Sequence, residues 1–404
     1  MENYSEELSY CSTCWQKSRK YLYCHHCEIT PTFSSWTSGS DEIDQLIQEN
    51  QLKPKYDDHN CWRWIDYTEL DNIEYLSEGG YGTVYKAVWN HMPEEIKKNY
   101  LNDSKMIAMK KLNNSQNLVK DFTNEVNQDP ITNEYTIIMQ YCNEGDLKNI
   151  IKRKDKPLSW RVRLLMLSNI TYALKNIHEN GYIHCDIHPG NTLKNEYYTY
   201  LSDLGLCKPA NYEEKSNEIY GIIPYMAPEV LRGKPFTPAS DIYSLGMFMW
   251  ELTSRKAPFD NRSHDAHLIL DICKGIRPEI VKGTPEIYVN LMKSCWQNDL
   301  SKRPTCEEIY DLISEWYIHN ENTEIYKIFK KADEEMENNI ELEISTQHPE
   351  AYYISRPLNK HINTANLLSR DIREEDLAIE WPDSNSVNIN EINDELETNN
   401  SNLK

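Results

Sequence analysis

Two aspartates and an asparagine in the middle of the chain are the residues best suited to chemistry. Asp186 and Asn191 lie in one short run, and Asp203 follows in an Asp-Leu-Gly triplet. Carboxylate and amide oxygens are the ligands that Mg2+ requires. Taken alone, each of these residues is most simply a solvated surface group. Their fixed order, behind a glycine-rich turn and a lysine, is what indicates a common site.

Five motifs stand in order around these residues. They are Gly79-Gly80-Tyr81-Gly82, Ile107-Ala108-Met109-Lys110, His184-Cys185-Asp186-Ile187-His188-Pro189-Gly190-Asn191, Asp203-Leu204-Gly205 and Ala227-Pro228-Glu229. Together they resemble the protein-kinase signature set, and the tyrosine-kinase-like group is the most similar. The resemblance covers roughly residues 67–319. It implies an α+β, two-lobed protein kinase fold, with a small β-rich lobe and a large helical lobe.

The resemblance also implies phosphoryl transfer from ATP, which depends on positioning and charge neutralisation rather than on covalent chemistry. Asp186 would orient the acceptor hydroxyl of a protein substrate. Asp203 and Asn191 would hold Mg2+ against the phosphates. Lys110 would hold the α- and β-phosphates and would pair with Glu125, which matches the glutamate of the kinase helix αC. The group resemblance favours Ser or Thr as the acceptor.

A nucleotide-binding set follows from the same resemblance. It comprises Leu76, Gly79, Gly80, Gly82, Val84, Ala108, Lys110, Glu125, Met139, Gln140, Cys142, Asp146 and Leu193. Within it, Val84 would cover the adenine and Met139 would be the gatekeeper at the hinge, while Asp146 could face the ribose.

Three residues depart from the usual kinase pattern. Ser77 stands at the first glycine position, and because a serine tolerates a tight turn better than a large side chain, we expect nucleotide binding to survive. Cys185 replaces an arginine that pairs with a phosphorylated loop; a neutral thiol cannot form that bond, so we expect a packed thiol. His188 replaces a lysine that neutralises the transferred phosphate. A histidine side chain titrates at about pH 6.5, so it would neutralise the transferred phosphate only in part at neutral pH.

A fourth departure is a shortage of chain after Glu125. Only residues 126–136 separate it from the hinge strand, and Pro130 opposes helix continuation. This length cannot supply the rest of a helix, a turn and two strands. We therefore expect a shortened αC/β4 region, with β4 missing or improvised. The alternative to an active kinase is an ATP-binding pseudokinase that acts as a signalling scaffold.

Two further matches concern structure rather than chemistry. The resemblance implies that Asp241 bonds the backbone of the catalytic loop. It also implies that Arg303 pairs with Glu229 in a buried salt bridge. Both pairs would support the fold whether or not the chain is active.

Four cysteines near the start of the chain form two CxxC pairs, Cys11 with Cys14 and Cys24 with Cys27. Four thiolates suit a closed, tetrahedral, structural Zn2+ site. The gap allows a hairpin through residues 20–23. We predict a zinc knuckle over residues 1–34, and the alternative is four free thiols on a disordered end. In a further interpretation, the knuckle binds a signalling partner and the kinase fold carries it.

Residues 35–66 are predicted to be a linker with one short helix. Residues 40–47 combine an N-cap, early acidic residues and apolar residues at helical spacing. Trp62, Trp64 and Ile65 are expected to dock on the small lobe just before it begins.

Composition limits the remaining possibilities. The 404 residues carry a net charge of -21, which argues against nucleic acid and anionic membranes as partners. No apolar run approaches the ~18 residues of a membrane span, and the start lacks a signal peptide pattern. The scattered cysteines outside the two pairs fit a reducing compartment, so we expect a cytoplasmic or nuclear protein. Residues 320–404 are acidic and polar, and we expect a mostly disordered tail, with docking of a partner or autoregulation as hypotheses for its use.

Overall fold

A computed structural model describes the fold in two compact units, residues 1–142 and 143–404. The described residues are 8–10, 17–19, 36–52, 63–79, 82–92, 105–112, 125–128, 135–153, 158–196, 198–211, 218–318, 323–338 and 347–370. In this part of the chain, no helix combines the length and apolar character needed to cross a membrane.

The first unit begins with a short antiparallel hairpin of β1 (Leu8–Tyr10) and β2 (Lys17–Arg19). The first CxxC pair, Cys11 and Cys14, falls between these strands in sequence. All four predicted zinc ligands, with Cys24 and Cys27, lie outside the described residues, as does the predicted hairpin at residues 20–23. The zinc knuckle therefore stays a prediction.

The predicted linker helix is confirmed as α1 (Asp41–Leu52). Ile43 and Ile47, four residues apart, form its buried side. Before the helix, the Ser38 N–H donates to the Asp44 carboxylate at 2.7 Å, which fixes the entry of the chain.

A six-stranded sheet forms the body of the first unit. Its strands are β3 (Arg63–Trp64), β4 (Leu70–Gly79), β5 (Gly82–Trp89), β6 (Met106–Leu112), β7 (Glu125–Gln128) and β8 (Tyr135–Gln140). They lie in the order β3-β7-β8-β6-β5-β4. All neighbours are antiparallel except β3 and β7, which are parallel. The β-rich character predicted for this region is confirmed.

A small apolar cluster packs on this sheet. Its buried members are Ile65, Leu70, Ala87, Trp89, Met92, Ile107, Met109 and Ile138. Ile65 confirms that the segment before the lobe docks on it; Trp64 is half-buried, and Trp62 lies outside the described residues. The Trp89 indole N–H also donates to the Glu69 carboxylate at 3.0 Å.

The assignment of Glu125 to the kinase helix αC was wrong. Residues 125–128 form strand β7, and Val126 pairs with Ile137 of β8. Glu125 is therefore on a strand and not on a helix, because the backbone of this segment pairs with β8. A strand of four residues thus stands where β4 was predicted to be missing or improvised. The shortened αC stays a prediction, since residues 113–124 lie outside the described residues.

The second unit is mainly helical. Its helices are α2 (Leu147–Lys152), α3 (Trp160–Glu179), α4 (Pro228–Leu231), α5 (Pro238–Ser254), α6 (Ala266–Cys273), α7 (Glu286–Cys295), α8 (Cys306–Ile318), α9 (Glu324–Asn338) and α10 (Asn359–Arg370). Helix α5 is mainly apolar and is buried over most of its length, as expected of a core helix. Thr237 starts it with a capping box, and Pro238 occupies the first turn.

Short strands connect these helices and carry the loops of the site. They are β9 (Gly145–Asp146), β10 (Tyr182–Ile183), β11 (Thr192–Lys194), β12 (Thr199–Leu201), β13 (Lys208–Pro209), β14 (Tyr220–Gly221) and β15 (Arg356–Pro357). β9, β11 and β12 form one sheet, β10 pairs with β13, and β14 pairs with β15.

The expectation of a disordered tail was wrong for residues 324–338 and 347–370. Helix α9 and the segment from residue 347 through α10 both join the core of the second unit. Their buried members are Ile325, Phe329, Ala332, Ala351, Tyr353, Leu358, Ile362 and Ala365. The polar, acidic composition hid these apolar residues, which recur at helical spacing in α9 and α10. Residues 371–404 lie outside the described residues.

Candidate active site

The catalytic loop, residues 184–191, is held by one buried carboxylate. Asp241, in the first turn of α5, accepts the backbone N–H groups of His184 at 2.8 Å and Cys185 at 2.9 Å. His178 Nε2 lies 2.9 Å from the same carboxylate. Cys185 has a φ of 70°, a left-handed conformation that a residue with a Cβ seldom adopts. The predicted role of Asp241 is confirmed, since it fixes this unusual turn.

The Cys185 thiol is a packing group, as predicted. The side chain is buried, its Sγ lies 3.6 Å from the Ile183 carbonyl oxygen, and burial raises the pKa of the Cys185 thiol. A protonated, enclosed thiol is a poor nucleophile.

His184 connects the catalytic loop to the strand that leads to Asp203. Its Nδ1 accepts the Asp186 N–H at 3.3 Å, so Nε2 carries the proton that points to the Ser202 carbonyl oxygen at 3.2 Å. Burial lowers the pKa of His184, so the ring is neutral and this arrangement is stable at neutral pH.

Asp186 and Asn191 form the centre of the site. The Asn191 amide donates to the Asp186 carboxylate at 3.0 Å and to the Asp186 carbonyl oxygen at 2.9 Å. Because both amide hydrogens are engaged, the carbonyl oxygen Oδ1 is the part of Asn191 that could bind a cation. This orientation fits the predicted Mg2+ ligand.

Asp203 is tied to the same centre through its neighbour in the chain. Ser202 donates its N–H at 2.8 Å and its hydroxyl at 3.0 Å to the Asn191 carbonyl oxygen. Asp203 itself has φ 61° and ψ 64°, a left-handed conformation of the kind that clusters at functional sites. Within the described residues, no group of three or more His, Cys, Asp or Glu side chains could hold a metal ion.

His188 lies beside the Asp186 carboxylate. Its Nδ1 accepts the Gly190 N–H at 3.1 Å, and its Nε2 lies 3.6 Å from Asp186 Oδ2. A Cβ on Gly190 would come within 2.9 Å of the His188 ring, so this contact requires glycine. Burial alone would raise the pKa of Asp186, but His188, His184 and the Asn191 hydrogen bond outweigh it and hold that pKa below its ordinary value.

Two members of the predicted nucleotide set meet in the second unit. Asp146 and Leu193 are direct partners on β9 and β11. Asp146 also caps α2, because its carboxylate accepts the Asn149 N–H and side-chain amide, each at 2.8 Å. The helix start predicted at Asp146 is confirmed.

The other members lie on the sheet of the first unit. Gly79 pairs with Gly82, Val84 with Lys110, Ala108 with Met139, and Ile107 with Gln140. Leu76 is exposed on β4, and burial raises the pKa of Cys142 to about 11. Gly80 lies outside the described residues. The sheet therefore places Val84 beside Lys110 and Ala108 beside Met139.

The strand register bears on the predicted pair of Lys110 and Glu125. It aligns Lys110 with Ile137, and Ile137 with Val126, the residue after Glu125. The pairing of Lys110 with Glu125 stays a prediction. The sequence of residues 113–124 holds one other acidic residue, Asp121, which the match of Glu125 to αC had passed over.

Arg303 and Glu229 form the predicted buried salt bridge. The two guanidinium nitrogens donate to the two carboxylate oxygens at 2.7 and 2.8 Å. This bidentate pair anchors the end of the activation segment, residues 203–229, to the helical core.

The fold and the site are those of a protein kinase. The chain belongs to the protein tyrosine and serine/threonine kinase family, whose model matches residues 70–313. Mitogen-activated protein kinase kinase kinase 7 of Bos taurus is 26% identical over 287 residues, covering 68% of this chain and 46% of the relative. A probable LIM domain-containing serine/threonine-protein kinase of Dictyostelium discoideum is 27% identical over 261 residues, covering 61% and 40%. The chain spans less than half the length of these relatives.

Proposed function

We propose that this chain is an ATP-dependent protein kinase that transfers the γ-phosphate to a Ser or Thr hydroxyl of an intracellular protein. The observation that carries the proposal is the 3.0 Å contact between Asp186 and Asn191 on a loop fixed by Asp241. Family membership supports the reaction. The relatives named as serine/threonine-protein kinases support the acceptor type.

Asp186 is the group that receives the acceptor hydroxyl. Because its pKa is held low, the carboxylate is ionised at neutral pH and can accept the hydrogen bond of that hydroxyl. Asn191 Oδ1 and the Asp203 carboxylate would hold Mg2+, which supplies charge neutralisation at the phosphates. Lys110 would add a positive charge at the α- and β-phosphates.

Turnover from Mg-ATP to a generic protein substrate tests the proposal. Asp186→Asn removes the carboxylate and keeps its shape, so we expect phosphate incorporation to fall by about a hundredfold or more. The control is Asp41→Asn, at an exposed position on α1. Equal incorporation by wild-type protein and Asp186→Asn would reject catalysis by this residue.

The pseudokinase alternative rests on the shortened αC/β4 region and on His188. Strand β7 supports the active reading, since residues 125–128 pair with β8 and supply a strand in that region. The second remains, because a histidine still stands where the lysine is usual. Absence of turnover, combined with a higher melting temperature in Mg-ATP, would favour the scaffold.

The acidic partner of Lys110 can be identified with two matched variants. We expect Asp121→Asn to lower turnover and Glu125→Gln to leave it nearly unchanged, since Glu125 lies on a strand. Turnover at saturating protein substrate, over a range of ATP concentrations, measures the effect. The opposite ranking would return the role to Glu125.

We also propose a structural Zn2+ held by Cys11, Cys14, Cys24 and Cys27. The paired CxxC spacing supports it, as does a hairpin whose strands β1 and β2 flank the first pair. Metal analysis of the full chain should find one zinc per molecule, lost in Cys11→Ser and kept in Cys273→Ser. Zinc retained in Cys11→Ser would argue against this ligand set.

A further inference from the structure

A C-terminal segment pairs with the activation segment. We call residues 347–370 the strap. Its strand β15 lies antiparallel to β14, with Pro357 opposite Tyr220 and Arg356 opposite Gly221. Beyond the strand, the Leu358 N–H donates to the Ile219 carbonyl oxygen at 2.8 Å. The Ile219 N–H donates to the Asn359 side-chain oxygen at 2.8 Å. The strap thus engages the backbone edge formed by residues 219–221.

This backbone edge is close in sequence to a residue that contacts the catalytic loop. Four residues after Gly221, the Tyr225 ring lies 5.8 Å from the His188 ring, centroid to centroid. His188 in turn lies 3.6 Å from the Asp186 carboxylate. A chain that pairs with residues 219–221 therefore runs beside the segment that touches the catalytic loop.

The strap is anchored at points away from the strand pair. The Tyr353 hydroxyl donates to the Pro258 carbonyl oxygen at 2.9 Å, and its ring meets the His264 ring edge-on at 4.8 Å. His264 also contacts the strap backbone, with Nδ1 3.0 Å from the Tyr352 carbonyl oxygen. Ile362 and Ala365, on α10, are buried in the core of the second unit. These anchors keep the strap near the edge even when the strand pair opens.

The pair of strands β14 and β15 has few hydrogen bonds to hold it closed. It is two residues long, and Pro357 has no N–H to donate to the ladder. An extended peptide commonly adds as a strand to a free sheet edge, where backbone hydrogen bonds provide the affinity. Residues 219–221 offer such an edge, and the strap covers it with the chain's own residues.

We propose that residues 219–221 are a docking edge for an extended segment of the protein substrate, and that the strap occupies this edge as an intramolecular competitor. This inference rests on the proposed kinase function, because an open edge affects turnover only in an active kinase. Strap release would make the edge available more often without altering Asp186. A substrate would pair with the edge in the antiparallel direction that β15 uses.

The first test loosens the strap at one hydrogen bond. Asn359→Ala removes the acceptor of the Ile219 N–H, and Asn366→Ala, exposed on the same helix, is the matched control. Losing one such bond should increase strap opening by about fivefold. We expect faster amide exchange at Ile219, a lower KM for protein substrate, and an unchanged kcat. Faster exchange with an unchanged KM, or with a fall in kcat, would overturn the proposal.

The second test does not depend on activity. A fluorescein-labelled peptide with the sequence of residues 347–370 is titrated into the full-length wild-type chain and Asn359→Ala. We expect tighter binding to the variant, because its edge is more often open, and slower exchange at Ile219 when the peptide is bound. Equal or absent binding to both proteins overturns the docking edge. Tighter binding to the variant without turnover in any protein would retain the edge and reject the proposed kinase function.

Discussion

The catalytic loop and the activation-segment edge at residues 219–221 are held in different ways. The loop is bound by Asp241, a buried carboxylate that accepts backbone N–H groups from two consecutive residues. The edge is held by residues 356–359, through a two-residue strand pair and two flanking hydrogen bonds. A buried charged acceptor makes the loop costly to disturb, whereas the edge can open at modest cost. The geometry of the catalytic loop is therefore fixed by the fold, and the access of substrate to it is adjustable.

The largest effect should come from removing the carboxylate that fixes the loop. Asp241→Ala leaves the His184 and Cys185 N–H groups buried without their acceptor. We expect a loss of about 4 kcal/mol in the free energy of unfolding, together with loss of turnover. Urea denaturation measures it, with Asp311→Ala, exposed on α8, as the control. A variant as stable as the control would show that the loop does not depend on Asp241.

The free energy of unfolding should depend on pH through Glu251, the buried carboxyl group that contacts Tyr225 of the activation segment. The Tyr225 hydroxyl donates to Glu251, whose other oxygen has no hydrogen-bond partner among the described residues. Burial raises the pKa of Glu251 from 4.5 to about 7. Between these values the unfolded chain has released the proton and the folded chain retains it. The contribution of Glu251 to the free energy of unfolding therefore falls as the pH rises from 4.5 to about 7, and then levels off.

Glu251→Gln should remove that dependence, because glutamine has no proton to lose. Relative to the variant, we expect the wild-type chain to lose about 3 kcal/mol of stability between about pH 4.5 and about pH 7. Urea denaturation at several pH values measures the difference, and Glu286→Gln, exposed on α7, serves as control. Parallel stability curves for wild type and Glu251→Gln would place the Glu251 pKa near its ordinary value.

The smallest effect is expected at His188, the residue of the catalytic loop whose ring lies 5.8 Å from the Tyr225 ring. Its proximity helps to lower the pKa of Asp186, so His188→Ala should raise that pKa. Activity that needs ionised Asp186 is lost as the pH falls through this pKa, so the acidic limb of the kcat profile should move to higher pH. The exposed His267→Ala is the control. A limb that moves to lower pH would contradict the assignment.

The catalytic loop was predictable because its residues form one short run that resembles the kinase motif, and Asp186 and Asn191 of that run are 3.0 Å apart. Asp241 is far from the loop in sequence and was identified through the same resemblance, which its 2.8 Å contact with His184 confirms. The region of Glu125 was not predictable, because four residues of sequence do not separate a helix end from a strand. The strap was missed because average composition outweighed a few apolar residues, such as Leu358 and Ile362. Its pairing with residues 219–221 joins positions far apart in sequence, which no local pattern encodes.

The catalytic loop sets the rate, and the strap sets the access of substrate to it. Steady-state kcat and KM for one protein substrate, measured side by side for wild type, Asp186→Asn and Asn359→Ala, test it most directly. We predict a collapse of kcat in Asp186→Asn, and a lower KM with wild-type kcat in Asn359→Ala. Wild-type kcat in Asp186→Asn, or a reduced kcat in Asn359→Ala, would contradict it.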